Sequence, residues 1–122
     1  VVRPVNFLYQ DGNIYIHSGP KNGKMLQIHQ DPRVCLEVTE TFAYVPAKEN
    51  PCAATYSYRS VILTGTARVV EEKTRKRIIL QKIIEKYQPE GGYREVSIKD
   101  TEMVAIIEVE IRTFSEKDHL RE

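Results

Sequence analysis

Apolar and polar residues alternate with a period of two along most of this chain, and two stretches switch to the spacing of a helix. Residues 1–9 and 13–17 read as strands around Gln10-Asp11-Gly12, where an Asp-Gly pair accepts the positive φ of a tight hairpin turn. In the second strand Ile14 and Ile16 share one face, and Tyr15 and His17 share the other. From Pro20 to about Gln30, Met25, Leu26, Ile28 and His29 predict a short helix, which Asp31-Pro32 ends because a residue before proline avoids helical angles. A strand follows over 33–45, with Val34, Leu36 and Val38 alternating against Cys35, Glu37 and Thr39. After a loop over 46–53, residues 54–71 form a long β-segment in which Gly65 marks a bulge, a bend or a close backbone approach. Residues 72–87 give the clearest helix, with Ile79, Leu80, Ile83, Ile84 and Tyr87 in one stripe. Residues 93–102 show no assignable pattern. A last strand spans 103–114, apolar on both faces from Met103 to Ile107 and therefore expected to be covered on both sides.

This order has no βαβ rhythm and no dinucleotide-type glycine fingerprint. It predicts a mainly β fold, a small antiparallel barrel with helical decorations, in one domain over residues 1–122. At 122 residues, 41% hydrophobic and 29% charged, the chain has the composition of an ordinary soluble domain with a core of useful size. A formal net charge of +1 gives no basic field for nucleic acid, and the Lys73–Arg77 run reads as a solvated helix face. No apolar run approaches the length of a membrane span. Two cysteines make no disulfide framework, and no Cys or His pair has metal-ligand spacing. Cys35 is expected to be a packed small side chain and Cys52 a loop thiol, in a reducing, cytoplasmic setting. The chain opens inside a β-run without Met, which points to a fragment or to upstream sequence outside this numbering.

The chemistry concentrates where the second strand stops. His17-Ser18-Gly19-Pro20-Lys21-Asn22-Gly23-Lys24 runs from a strand through a turn into a helix. Free N–H groups at a helix start, with cations beside them, suit a phosphate. Pro20 fits an early helical position and Ser18 a cap. The alternative is a solvated turn that happens to carry lysines.

Four blocks, in order and in register, resemble the FMN-binding split-barrel family of pyridoxamine 5′-phosphate oxidase-like proteins, and within it the nitroimidazole-resistance, nitroimidazole reductase-like subgroup. They are Arg3-Pro4-Val5-Asn6-Phe7 leading to Asp11-Gly12; Ile14-Tyr15-Ile16-His17-Ser18 with Lys21 and Lys24; Asp31-Pro32-Arg33-Val34-Cys35-Leu36-Glu37-Val38; and Tyr58-Arg59-Ser60-Val61 with Gly65-Thr66-Ala67. The resemblance implies an antiparallel split β-barrel, here without the N-terminal helix and first strand of typical members. It also implies a homodimer holding one FMN in each of two clefts at the subunit interface. Tyr15, Tyr58 and the last strand are the expected interface surfaces.

By the same resemblance Ser18, Lys21 and Lys24 face the phosphate, although a solvated Lys21 is an equal reading. Arg3, Pro4, Val5 and Asn6 run along the flavin ring; Pro4 is otherwise an edge-strand proline, and Asn6 otherwise bonds backbone. Arg59 and Ser60 reach ribityl or phosphate oxygens, while Tyr58 packs on a ring or fills the dimer interface. His17 corresponds to an active-site histidine close to the flavin, and imidazoles exchange protons near neutral pH. Its other reading is a strand-end side chain bonded to local backbone. His29 and His119 receive no role. The implied function is an FMN-dependent oxidoreductase acting on a small molecule such as a nitroaromatic, with neither nucleic acid nor membrane as partner. The alternative is a flavin- or haem-binding, stress-related protein without turnover, and a deazaflavin also remains open as cofactor. Pyridoxamine phosphate oxidation itself is disfavoured, because residues 114–122 are short and polar with no arginine-rich motif.

Overall fold

The structure, a computed structural model, describes residues 2, 4–21 and 23–119. Its elements are β1 (Phe7–Gln10), β2 (Asn13–Ser18), α1 (Gly23–Gln30), β3 (Arg33–Val45), β4 (Thr55–Val70), α2 (Lys73–Tyr87) and β5 (Ala105–His119). The strands form one five-stranded sheet in the order β1-β2-β5-β4-β3. The chain divides into two compact units, residues 1–34 with 65–111 and residues 35–64 with 112–122.

In the first unit Asp11 and Gly12 take φ values of 53° and 80°, closing the expected hairpin. β2 pairs antiparallel with β1, Phe7 opposite Ile16, and with β5, Tyr15 opposite Glu108 and His17 opposite Ile106. Hydrogen-bonded on both edges, β2 buries Ile14, Tyr15 and Ile16 in succession. The Glu72 carboxylate starts α2 by accepting from the Thr74 and Arg75 amides at 3.0 and 2.9 Å. Ile79, Leu80 and Ile83 of α2 form a core with Tyr15, Ile106, Val70 and Val96. Each fully buried isoleucine there contributes about 1.5–3 kcal/mol. The stretch without a legible pattern is held by polar contacts: Val96 donates its amide to Gln81 Oε1 at 2.9 Å, and Lys76 Nζ donates to the Thr101 and Val104 carbonyls. A 3₁₀ turn, Lys99–Met103, leads into β5. Gly65 marks a close approach, since a Cβ there would stand 2.5 Å from the Glu110 carbonyl oxygen.

The second unit contains residues 35–45 of β3, 55–64 of β4 and 112–119 of β5, with a 3₁₀ turn, Pro51–Ala53, capped by the Asn50 side chain. Tyr44 and Tyr56 meet edge to face at 5.1 Å, and the Thr64 and Thr113 hydroxyls are hydrogen-bonded. Phe42, Tyr44, Tyr56 and Phe114 are all at least half exposed.

Several expectations are corrected. The first strand is Phe7–Gln10, and residues 4–6, expected within it, lie outside the ladder. Cys35 is exposed rather than packed, because it shares the outward face of β3 with Glu37. Tyr15 is only 4% exposed and belongs to the core under α2, which removes it from any interface. Met103 is exposed, β5 starts at Ala105 and it continues to His119. The burial on both faces falls on Ala105–Val109.

Within that run Glu108 is fully buried. Its carboxylate is bonded by the Arg68 and Arg75 guanidinium groups, and Arg75 also donates to the Tyr15 hydroxyl at 2.8 Å. Burial alone raises a carboxyl pKa, but the Tyr15 hydroxyl and the two arginines outweigh it and hold Glu108 below its ordinary value. A depressed folded-state pKa gives stability that is present above the unfolded carboxylate value of about 4.3, and that is lost as pH falls through the folded value. Glu108→Gln is expected to lower unfolding free energy at pH 7 by about 1.5–3 kcal/mol. Its urea-denaturation stability should also fall less steeply than wild type below about pH 4, where wild type loses the ionised carboxylate.

Candidate functional site

The β1–β2 register places residues 4–6 beside the end of β2, because Phe7 lies opposite Ile16. Residues 4–6 stay outside the paired strand, as expected around a proline, which has no N–H to give a ladder. Beyond Ser18 the chain turns and enters α1 at Gly23. These three pieces border an open cleft of about 330 Å³ lined by Pro4, Val5, Asn6, His17 and Lys24. All five are in the first unit.

His17 is half-buried on β2, and its Nδ1 is buried without a hydrogen-bond partner among the described residues. An unsatisfied buried polar atom costs about 1–3 kcal/mol, so its retention calls for a reason. Its Nδ1 therefore does not make the local backbone bond of the alternative reading. Lys24, in the first turn of α1, is half-buried and is the one cationic side chain among the lining residues. The lining thus combines a cation, an imidazole nitrogen, a carboxamide and the apolar surfaces of Pro4 and Val5. It can receive a ligand that is anionic at one end and accepts or donates a hydrogen bond at another.

The helix start differs from expectation. α1 begins at Gly23 rather than Pro20, and Ser18 is the last residue of the β2 ladder, opposite Ala105. Held extended by that pairing, Ser18 is buried, and its hydroxyl donates to the Gly19 carbonyl at 3.2 Å. Ser18 therefore does not cap the helix, and Pro20 lies ahead of α1 rather than at an early helical position. Lys21 is exposed in the intervening turn and does not line the cleft. Arg3 lies outside the described residues.

Tyr58, Arg59 and Ser60 lie on β4 in the second unit. Tyr58 stacks on His119 with centroids 5.6 Å apart. Arg59 is 3.6 Å from the Asp118 carboxylate and 6.0 Å from the Phe42 ring centroid. Ser60 is half-buried. Among the described residues no group of His, Cys, Asp and Glu is gathered to hold a metal ion. Every lining residue of the cleft is one that the sequence singled out; the buried Glu108 was missed, since its strand reads as a plain apolar run around one acid.

Residues 1–117 match the family model described as pyridoxamine 5′-phosphate oxidase. The chain belongs to that family. No curated protein matches it. Among solved structures it is similar to a candidate 5-nitroimidazole antibiotic resistance protein from Bacteroides thetaiotaomicron, with 23% identity and a TM-score of 0.73 over 95% of this chain and 67% of that one. It is similar to the flavocytochrome Anf3 from Azotobacter vinelandii, at 21% identity and a TM-score of 0.79, covering 99% of this chain and 56% of that one. The FAD and heme binding protein from Mycobacterium smegmatis matches at 20% identity and a TM-score of 0.80, with 97% and 58% of the two chains covered. This chain thus spans between about half and two thirds of the length of these family-fold structures. At such identities the likeness is one of fold, the split barrel expected of the family.

Proposed function

We propose that this chain binds a flavin, FMN, in the cleft of residues 4–6, β2 and α1, and acts as an FMN-dependent oxidoreductase. The observation that carries this reading is the buried, unpartnered Nδ1 of His17 on the wall of a cleft that also presents Lys24 and Asn6. That donor set fits a cofactor with an anionic phosphate and a flat ring edged by polar atoms. Membership of the pyridoxamine 5′-phosphate oxidase family supports the same assignment. So do the names of two fold neighbours, one a flavocytochrome and one a FAD and heme binding protein.

When bound, the flavin supplies the hydride and electron chemistry. Lys24 provides a compact positive charge for the phosphate, joined in this proposal by Lys21 and Ser18. Pro4 and Val5 offer apolar surface to the ring, and the Asn6 carboxamide can bond a ring carbonyl; Arg3 is a proposed contact on the family resemblance alone. His17 holds or delivers a proton at Nδ1, next to which a small substrate such as a nitroaromatic is reduced. Tyr58, Arg59 and Ser60 remain proposed cofactor contacts on the family resemblance alone.

The proposed assembly is a homodimer, for which the exposed Phe42, Tyr44, Tyr56 and Phe114 of the second unit offer apolar surface. No helix of the described residues is long and apolar enough to cross a membrane. A cytoplasmic setting, where the exposed Cys35 and Cys52 stay reduced, completes the proposal. The second reading, a flavin- or haem-binding protein without turnover, draws on the names of the same two neighbours.

Titration of FMN, followed by visible absorbance and by sedimentation, tests the site. Wild type is expected to turn yellow as a dimer, and Lys24→Ala to weaken FMN about ten- to a hundredfold. Lys73→Ala, which removes an exposed lysine 3.9 Å from Glu102, should leave the titration unchanged. Equal curves for the two variants would reject Lys24 as the phosphate contact.

His17→Ala separates enzyme from carrier. The variant should keep its colour and dimer, while stopped-flow oxidation of the pre-reduced protein by a nitroaromatic slows by about a hundredfold or more. Unchanged oxidation per bound flavin would remove His17 from catalysis. Absence of oxidation in both proteins would favour the carrier.

A further inference from the structure

β1 is an edge strand, and the outer side of its first residue is covered by side chains of a helix rather than by another strand. Tyr87, the last residue of α2, accepts a hydrogen bond from the Phe7 amide at 2.9 Å, and its hydroxyl lies 3.2 Å from the Phe7 carbonyl, to which it donates. Lys86 Nζ donates to the same carbonyl at 2.7 Å. The ammonium also stands 3.5 Å from the centroid of the Phe7 ring and 4.9 Å from that of Tyr87. A cation shared between two rings and a carbonyl has few alternative positions, so the contact fixes both the backbone and the ring of Phe7. These partners are about 80 residues apart in sequence.

Phe7 is the point from which the wall of the cleft departs. On its inner side it pairs with Ile16, the residue before His17, and next to it in sequence is Asn6. One residue therefore sets the separation between the Pro4–Val5–Asn6 wall and the His17 wall. Residues 4–6 have no strand pairing of their own, which makes Phe7 their nearest fixed point. A strand edge left without such cover would fray or seek another strand. At the other end of β1, Lys82 Nζ donates to Gln10 Oε1 at 2.8 Å, on the same helix but away from the cleft.

We infer that Lys86 and Tyr87 are positioning residues for the cleft: by clamping Phe7 they hold the 4–6 wall at the spacing from His17 that the cofactor requires. The assignment rests on the flavin reading above. It adds a dependence of flavin affinity on the last turn of α2, no residue of which lines the cleft.

The test compares Tyr87→Phe and Lys86→Met with Lys82→Met, which loses a similar contact at the far end of β1. Amide exchange is measured on the flavin-free chain and FMN binding on the same preparations. Both clamp variants should exchange the Phe7 amide, which donates to the Tyr87 hydroxyl, faster while β5 keeps its wild-type protection. They should also bind FMN about five- to tenfold more weakly, with Lys82→Met close to wild type. Faster exchange with FMN affinity equal to that of Lys82→Met would overturn the assignment, leaving the contact a strand anchor only. Unchanged exchange of the Phe7 amide in both clamp variants would overturn it as well. These results are distinct from failure of the flavin reading, in which wild type itself takes up no FMN and the assignment falls with it. Two variants are used so that loss of folding in one does not decide the outcome.

Discussion

β2 is hydrogen-bonded along both edges, to β1 and to β5, and the rest of the first unit depends on that double pairing. A slip of one residue would turn every side chain of β2 to the opposite face. Tyr15 would then leave the core beneath α2, and His17 would leave the cleft. Burial of three consecutive residues, Ile14 to Ile16, makes such a slip costly on either face. The same register that builds the core thus places an imidazole at the strand's end, where the chain departs for α1.

The acid buried opposite Tyr15 shows how a polar group can be kept in that core. Glu108 is surrounded by two guanidinium groups and a hydroxyl, each reaching in from a residue with contact to solvent or to the core. A lone buried carboxylate would cost several kcal/mol, and the arginines offset this only because their geometry is satisfied on both oxygens. The cluster also ties four elements together, since Glu108 is on β5, Arg68 on β4, Arg75 on α2 and Tyr15 on β2. It lies two residues along β5 from Ile106, which faces His17, so the cleft stands next to one of the most constrained stretches of the sheet.

Much of this was legible in the chain itself. Asp11-Gly12 specified the hairpin, because few residue pairs accept positive φ in succession. The stripe of Ile79, Leu80 and Ile83 specified which side of α2 is buried. Pro4, Val5, Asn6, His17 and Lys24 stood out through their resemblance to a family pattern, and the structure gathers those five around one cleft. The start of α1 was not legible: a Ser-Gly-Pro sequence reads as a cap, but Ser18 is already committed to the β5 ladder. Cys35 and Tyr15 were read with the wrong exposure. Alternation tells which residues share a face, and it is silent on which face another element covers.

Local patterns in the sequence by themselves determined the elements, the family and the residues around which chemistry was sought, because turn propensity, periodicity and motif order are properties of neighbours along the chain. Three things were decided only by the tertiary structure. Tyr15 became core because α2 lies over it; Glu108 became a buried anion because two distant arginines converge on it; and the Phe7 backbone became anchored because Lys86 and Tyr87 bond it from about 80 residues away. Each of these depends on long-range contacts whose energy comes from desolvation and converging hydrogen bonds, and neither quantity exists until the chain has folded.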